Sequence, residues 1–210
     1  AYVAPALALD LSGDGELVVM DGRDDHLLAL DGLNRVRYVV AAPVGAVDMD
    51  LGLDDAVFVS TRDDRLLRFG ELSVDLDPGA PEVSADCGCD LGGRVAGDGA
   101  LVHVSRPRTS AIGSLDAPSL AAVRSLRQAD AAGLWPTDVA LGADGTLFAA
   151  DQVRARVLLW SAAGQPLGEW PAGLLSGPRR LAVGATEGRE TVAAIMADGS
   201  IEVHAARDGN

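Results

Sequence analysis

The sequence predicts an all-β protein of five consecutive four-stranded antiparallel sheets. Three observations carry that prediction. An apolar strand segment recurs five times at a nearly constant spacing. A turn rich in Asp and Gly precedes each copy at the same spacing. The segments on either side alternate apolar and polar residues with the two-residue period of a strand. The recurring segment reads LVVMD (17–21), AVFVS (56–60), LVHVS (101–105), LFAAD (147–151) and VAAIM (192–196), in steps of 39, 45, 46 and 45 residues. The turns are Asp14-Gly15, Asp54-Asp55, Asp98-Gly99, Asp144-Gly145 and Glu187-Gly188, in steps of 40, 44, 46 and 43. Two independent markers that keep one period define a structural repeat.

Each element follows in order. The clearest unit is residues 136–170, PTDVALGADGTLFAADQVRARVLLWSAAGQPLGEW. PTDVAL is a first strand opened by Pro, whose missing N–H breaks no ladder at a strand start. Asp144-Gly145 supplies the positive φ of a tight hairpin. LFAAD, RVLLW and PLGEW are the second, third and fourth strands, and SAAG is the last turn. First strands elsewhere open near Pro5, Gly45, Gly93 and Pro178. Third strands repeat as HLLAL after GRDD and as RLLRF after TRDD. The third unit departs from the pattern with RPRTSAIGSL, and the Leu and Ala spacing of residues 115–133 fits a short helix or a long loop. The five units span about 5–43, 44–85, 90–133, 134–175 and 176–210. Residues 1–4 are expected to complete the last sheet as its fourth strand. That joint closes a β-propeller and makes the 210 residues a single domain.

The first-strand Pro, the Asp-Gly hairpin, the Leu-Phe-Ala-Ala-Asp run and the Arg-x-Arg-Val-Leu-Leu-Trp run together resemble the NHL-repeat β-propellers. Where that family has Asn before its third strand, this chain has Arg154, Asp24 and Asp63. The resemblance implies either a binding platform or an enzyme with a metal in the central channel, since the fold alone does not choose.

Composition narrows the choice. The net charge is −14, and all 17 basic residues are Arg. That balance argues against a nucleic-acid partner, which needs a basic face. No apolar run approaches the ~18 residues of a membrane span, so no membrane insertion is expected. The chain starts at Ala1, which leads us to expect processing or a place in a longer chain or multi-subunit assembly. The compartment is not readable.

Candidate sites were weighed by residue type. Lactonase-like propellers hold their metal with Glu, Asp and Asn, and Asn occurs here only at 34 and 210. Amidating-lyase propellers use His-bound zinc. By repeat position His26, His103 and His204 fall on a third, a second and a third strand, so they should not converge. No metal site and no cofactor are therefore expected. Cys87 and Cys89 in ADCGCD are compatible with free thiols, with a small-ring disulfide or with soft-metal or redox chemistry. Asp48, Arg94, Asp138 and Arg180 lie on first strands and are expected to form ion pairs between neighbouring sheets at the channel. Arg62, Arg65, Arg106, Arg108 and Trp135 are expected at exposed turns, as contacts for a protein partner. The expectation is a non-catalytic binding scaffold that mediates protein–protein interaction in a larger assembly. The alternatives are a metal-dependent hydrolase or lyase with a channel site, and a glycan-binding lectin-like propeller. The lectin reading needs one aromatic site per unit, yet Trp occurs only at 135, 160 and 170.

Overall fold

The computed structural model describes residues 6–12, 14–22, 25–52, 55–73, 75–89, 93–127, 133–170, 177–186 and 189–205. Nineteen strands lie along them. Sheet one is β1 (Ala6–Leu11), β2 (Leu17–Asp21), β3 (His26–Leu30) and β4 (Val36–Ala41). Sheet two is β5 (Ala46–Leu51), β6 (Ala56–Thr61), β7 (Arg65–Glu71) and β8 (Val83–Asp86). Sheet three is β9 (Val95–Gly97), β10 (Leu101–Arg106), β11 (Ala111–Asp116) and β12 (Ala122–Leu126). Sheet four is β13 (Pro136–Leu141), β14 (Leu147–Asp151), β15 (Arg156–Trp160) and β16 (Pro166–Trp170). Sheet five has the described strands β17 (Pro178–Thr186), β18 (Arg189–Met196) and β19 (Ile201–Ala205). In every sheet sequential strands are neighbours. This is the up-and-down meander of a propeller blade, repeated five times. The strand expected from residues 1–4 lies outside the described residues.

The chain divides into two compact units, one of residues 1–104 and 114–124, the other of residues 105–113 and 125–210. In the first unit, sheets one and two share a core of Val18, Met20, Leu27, Ala29 and Val40 with Met49, Leu51, Val57, Val59 and Phe69. The opposite face of sheet two, Ala56, Phe58 and Leu66, packs with Val95, Val102, Val104 and Leu115. In the second unit, Phe148, Val157 and Leu159 of sheet four pack on Val192, Ala194 and Met196 of sheet five. Strand periodicity explains this division, because successive side chains point to opposite faces and a repeated sheet needs two aliphatic faces.

The hairpin turns adopt the expected geometry, with φ +77° at Gly15, +56° at Asp55, +83° at Gly99 and +78° at Gly145. A second left-handed position stands immediately before the third strands, at Asp25, Asp64, Ser110 and Ala155 (φ +51°, +65°, +53° and +53°). Short polar residues tolerate that region better than Ala, for which it is costly.

The helix-or-loop expectation for residues 115–133 is corrected. Residues 122–126 form the edge strand β12, and residues 128–132 lie outside the described residues. Asp116 makes the turn: its carboxylate accepts from the Ser119 N–H at 3.2 Å and from the Ser119 hydroxyl. Its own N–H donates to the Ala121 carbonyl at 2.8 Å, and Leu120 takes φ +54°. A hairpin closed this tightly turns the Leu and Ala residues into a pleat.

Candidate functional site

The first strands carry the polar side chains. Asp10 on β1 accepts the Leu51 N–H of sheet two at 2.8 Å. Asp48 and Asp50 on β5 accept the Val95 and Gly97 N–H groups of sheet three at 2.9 and 2.6 Å. Asp138 on β13 accepts the Leu181 N–H of sheet five at 2.7 Å. In each case an aspartate takes an edge-strand donor of the neighbouring sheet that no ladder satisfies. Arg94 adds a charge pair to Asp48 at 3.0 Å and a bond to the Val47 carbonyl at 2.9 Å. Arg180 stands 3.9 Å from Asp138. These four residues thus join neighbouring sheets within each unit. Burial, then the charge of Asp10, pushes the Asp50 carboxyl well above the usual carboxylate range. Among the described residues no group of three or more His, Cys, Asp and Glu side chains could hold a metal ion.

Of the sequence-predicted surface residues, Arg62 and Arg65 flank the turn between β6 and β7, Arg106 and Arg108 lie at the turn between β10 and β11, and Trp135 precedes β13. Arg62, Arg65 and Arg108 are exposed and Arg106 is half-buried. Trp135 is 43 % exposed. Arg65 donates from Nε to Ser84 Oγ at 2.9 Å. It also lines an open cleft of about 340 Å³ with Thr61, Asp63, Leu67 and Ser84. Cys87 and Cys89 are bonded to each other as a disulfide, buried in the core between sheets two and three.

The three histidines differ in kind. His26 is half-buried and faces Asp21 and Ala41 across the ladder. His103 is buried, with Nδ1 at 3.0 Å from Ser114 Oγ. Burial, and to a lesser extent the charge of Arg124, lowers its pKa to about 4, so the ring is neutral at pH 7. His204, on β19, is partly exposed, and its Nε2 lies 3.3 Å from Glu202 Oε2. A strand places residues i and i+2 on one face, so Glu202 stands beside the imidazole of His204. The sequence reading named His204 but missed Glu202, Asp10 and Asp50. The strand alternation held the signal for Glu202 and Asp50, since Glu202-x-His204 and Asp48-x-Asp50 put both side chains on one face.

No protein-family model matches the chain, and no curated protein sequence does. Solved structures do match. Selenomethionine-substituted virginiamycin B lyase from Staphylococcus aureus is 13 % identical, with 96 % of this chain and 70 % of that one covered and a TM-score of 0.60. A streptogramin B lyase is 12 % identical, with 97 % and 69 % covered and a TM-score of 0.63. A catalytically inactive His-to-Ala variant of the S. aureus enzyme with quinupristin is 13 % identical, with 96 % and 70 % covered and a TM-score of 0.63. At this identity the likeness shows the fold, a β-propeller. In the matched structures that fold carries an enzyme, and this corrects the expectation of a non-catalytic scaffold. That expectation rested on the absence of the Asn and zinc ligand sets of other propeller enzymes.

Proposed function

We propose that this chain is a propeller lyase in which His204 is the general base and Glu202 holds it in place. The observation that carries the reading is the accessible His204–Glu202 pair, in a chain whose matched structures include a lyase inactivated by loss of a histidine. A lyase removes a proton from one atom, the freed electron pair forms a new double bond, and the adjacent bond breaks with its electrons on the leaving group. A general base must be within reach of the proton that it removes, and a polar neighbour fixes its orientation. His103 is buried and His26 faces Asp21 and Ala41 across the ladder, whereas His204 is partly exposed and stands beside a carboxylate. The repeat itself is proposed to be of the NHL type, on the motifs at residues 136–160.

The test is loss of quinupristin, followed by liquid chromatography, in the presence of the purified chain. His204→Ala is expected to slow the loss by about 100-fold or more, the usual share of a general base. Glu202→Gln is expected to slow it less and to shift its pH profile. Equal turnover by wild type and His204→Ala would remove His204 from the chemistry.

A further inference from the structure

Sheets two and four place an arginine at the same position of the repeat, and their surroundings differ. In sheet four Asp151 stands opposite Arg156, and Glu169 stands opposite Leu158, two residues further along β15. Both carboxylates pair with the Arg156 guanidinium, at 3.1 and 2.5 Å. In sheet two Arg65 opens β7 as Arg156 opens β15, and Ser84 stands opposite Leu67 as Glu169 does opposite Leu158. Thr61 ends β6 and pairs with Ala46 as Asp151 ends β14 and pairs with Pro136. Two hydroxyls thus stand where the repeat has two carboxylates. Arg65 donates to Ser84 Oγ from Nε at 2.9 Å and also from Nη2. Among the described residues no carboxylate pairs with it.

Arg65, Thr61 and Ser84 line the open cleft of about 340 Å³, within the size range of small-molecule sites. Pro43, Pro78, Pro81 and Leu67 form its apolar walls. Proline fixes its own φ, so these walls are formed before a ligand arrives. Thr61 is buried, and its hydroxyl donates to Asp63 Oδ1 at 2.5 Å. Every one of these residues belongs to the first compact unit. We propose that the cleft binds a small monocarboxylate with a compact apolar body. Its carboxylate accepts from Arg65, including Nη1, which Ser84 does not engage, and so stands in for the missing Asp and Glu. Its apolar body lies against the proline and leucine walls, where loss of water favours it. Asp63 also lines the cleft and repels a second negative charge, which limits the ligand to one. The net charge of −14 opposes anions at long range, and physiological salt screens that field beyond about 8 Å.

Proton–nitrogen correlation NMR of the whole chain, titrated with cyclohexanecarboxylate at physiological salt, tests this. Saturable shifts at Leu67, Gly79 and Ser84 are expected, with a Kd of about 1 mM. Cyclohexanecarboxamide has the same body without the charge and is expected to bind about 10-fold more weakly or worse, the share of a hydrogen bond to a charged group. Cyclohexanedicarboxylate is expected to bind more weakly than the monoacid. Arg65→Gln is expected to weaken binding by the same factor as loss of the charge. Ser84→Glu keeps Arg65 and gives it the carboxylate that sheet four has, so the site fills itself. That variant should also lose binding about 10-fold or more, with a urea midpoint no lower than wild type. Absence of saturable shifts up to about 20 mM, equal binding of the acid and its amide, tighter binding of the dicarboxylate, or wild-type binding by a folded Ser84→Glu would overturn the proposal. Should Arg65→Gln fail to fold, Ser84→Glu decides alone.

Discussion

Sheets one and four are copies of one repeat, yet they sit in different environments. Every residue of β14 and β15 is buried, whereas β2 and β3 alternate between buried and half-buried. The same ladder position shows the consequence. In sheet four Asp151 pairs with Arg156 across the strands, and in sheet one Asp21 pairs with His26. Arg156 is enclosed: Nε lies 3.1 Å from Asp151, Nη1 2.5 Å from Glu169 and Nη2 2.7 Å from the Gly133 carbonyl. His26 is only half-buried. One sequence pattern therefore yields an enclosed arginine with three partners in one sheet and a half-buried cross-strand neighbour in another. The repeat specifies the blade, and the neighbours decide what each residue is worth.

The largest test of that contrast removes the charge partner. Arg156→Ala leaves the fully buried Asp151 carboxylate with the longer Arg154 contact at 3.4 Å, and should cost about 3 kcal/mol, the low end of the penalty for breaking a buried pair. His26→Ala should cost about 1 kcal/mol or less, as an exposed pair would. Urea unfolding measures both, and equal losses would dissolve the distinction between the two sheets. A second test removes packing at matched positions in the middle of β15 and β3. Leu158→Ala should cost about 2–5 kcal/mol, because a fully buried leucine leaves a cavity. Leu28→Ala should cost about 1 kcal/mol, since that side chain is already half in water.

The sheets were legible because strand period, turn chemistry and repeat spacing are local properties. The Asp-Gly turns at 14–15, 98–99 and 144–145 read directly as hairpins with positive φ at the glycine. The β12 edge strand was not legible, because its five residues hide no alternating face and depend on the Asp116 turn for their direction. The left-handed Ala155 was equally hidden. Nothing in an alanine announces positive φ, and the tight turn at Gln152–Arg154 imposes it. Gly177 shows the opposite case. Its φ is +67°, and a Cβ there would run into the Gln152 carbonyl oxygen, so the glycine is required by a contact 25 residues away in sequence. The candidate site suffered most. Asp10 and Asp50 take their meaning from Leu51 and Gly97, which only the packing of neighbouring sheets brings close. Glu202 gains its role from His204 two residues on, a spacing common in any strand.

The last test concerns pH, and it separates two groups whose shifts act in opposite senses. His103 titrates near 4 when folded and near 6.5 when unfolded. The unfolded chain therefore takes up the proton first on acidification. Stability from this residue is fully present above pH 6.5 and falls as the pH drops, down to about pH 4, where the folded state also protonates. The span corresponds to about 3 kcal/mol at most. Asp50 acts the other way, since its raised pKa favours the folded state at low pH and loses that stability as pH rises through the folded value. The wild-type profile is thus the sum of two opposed slopes. His103→Gln keeps a polar group facing Ser114 and removes the titration. Denaturant unfolding from pH 7 to pH 4 should show the variant losing less stability than wild type. Asp50→Asn should instead lose more on acidification than wild type, having given up the compensating proton. Parallel profiles for wild type and His103→Gln would mean that Ser114 and the surrounding strands leave the ring free to protonate, and that the burial of β10 costs it little.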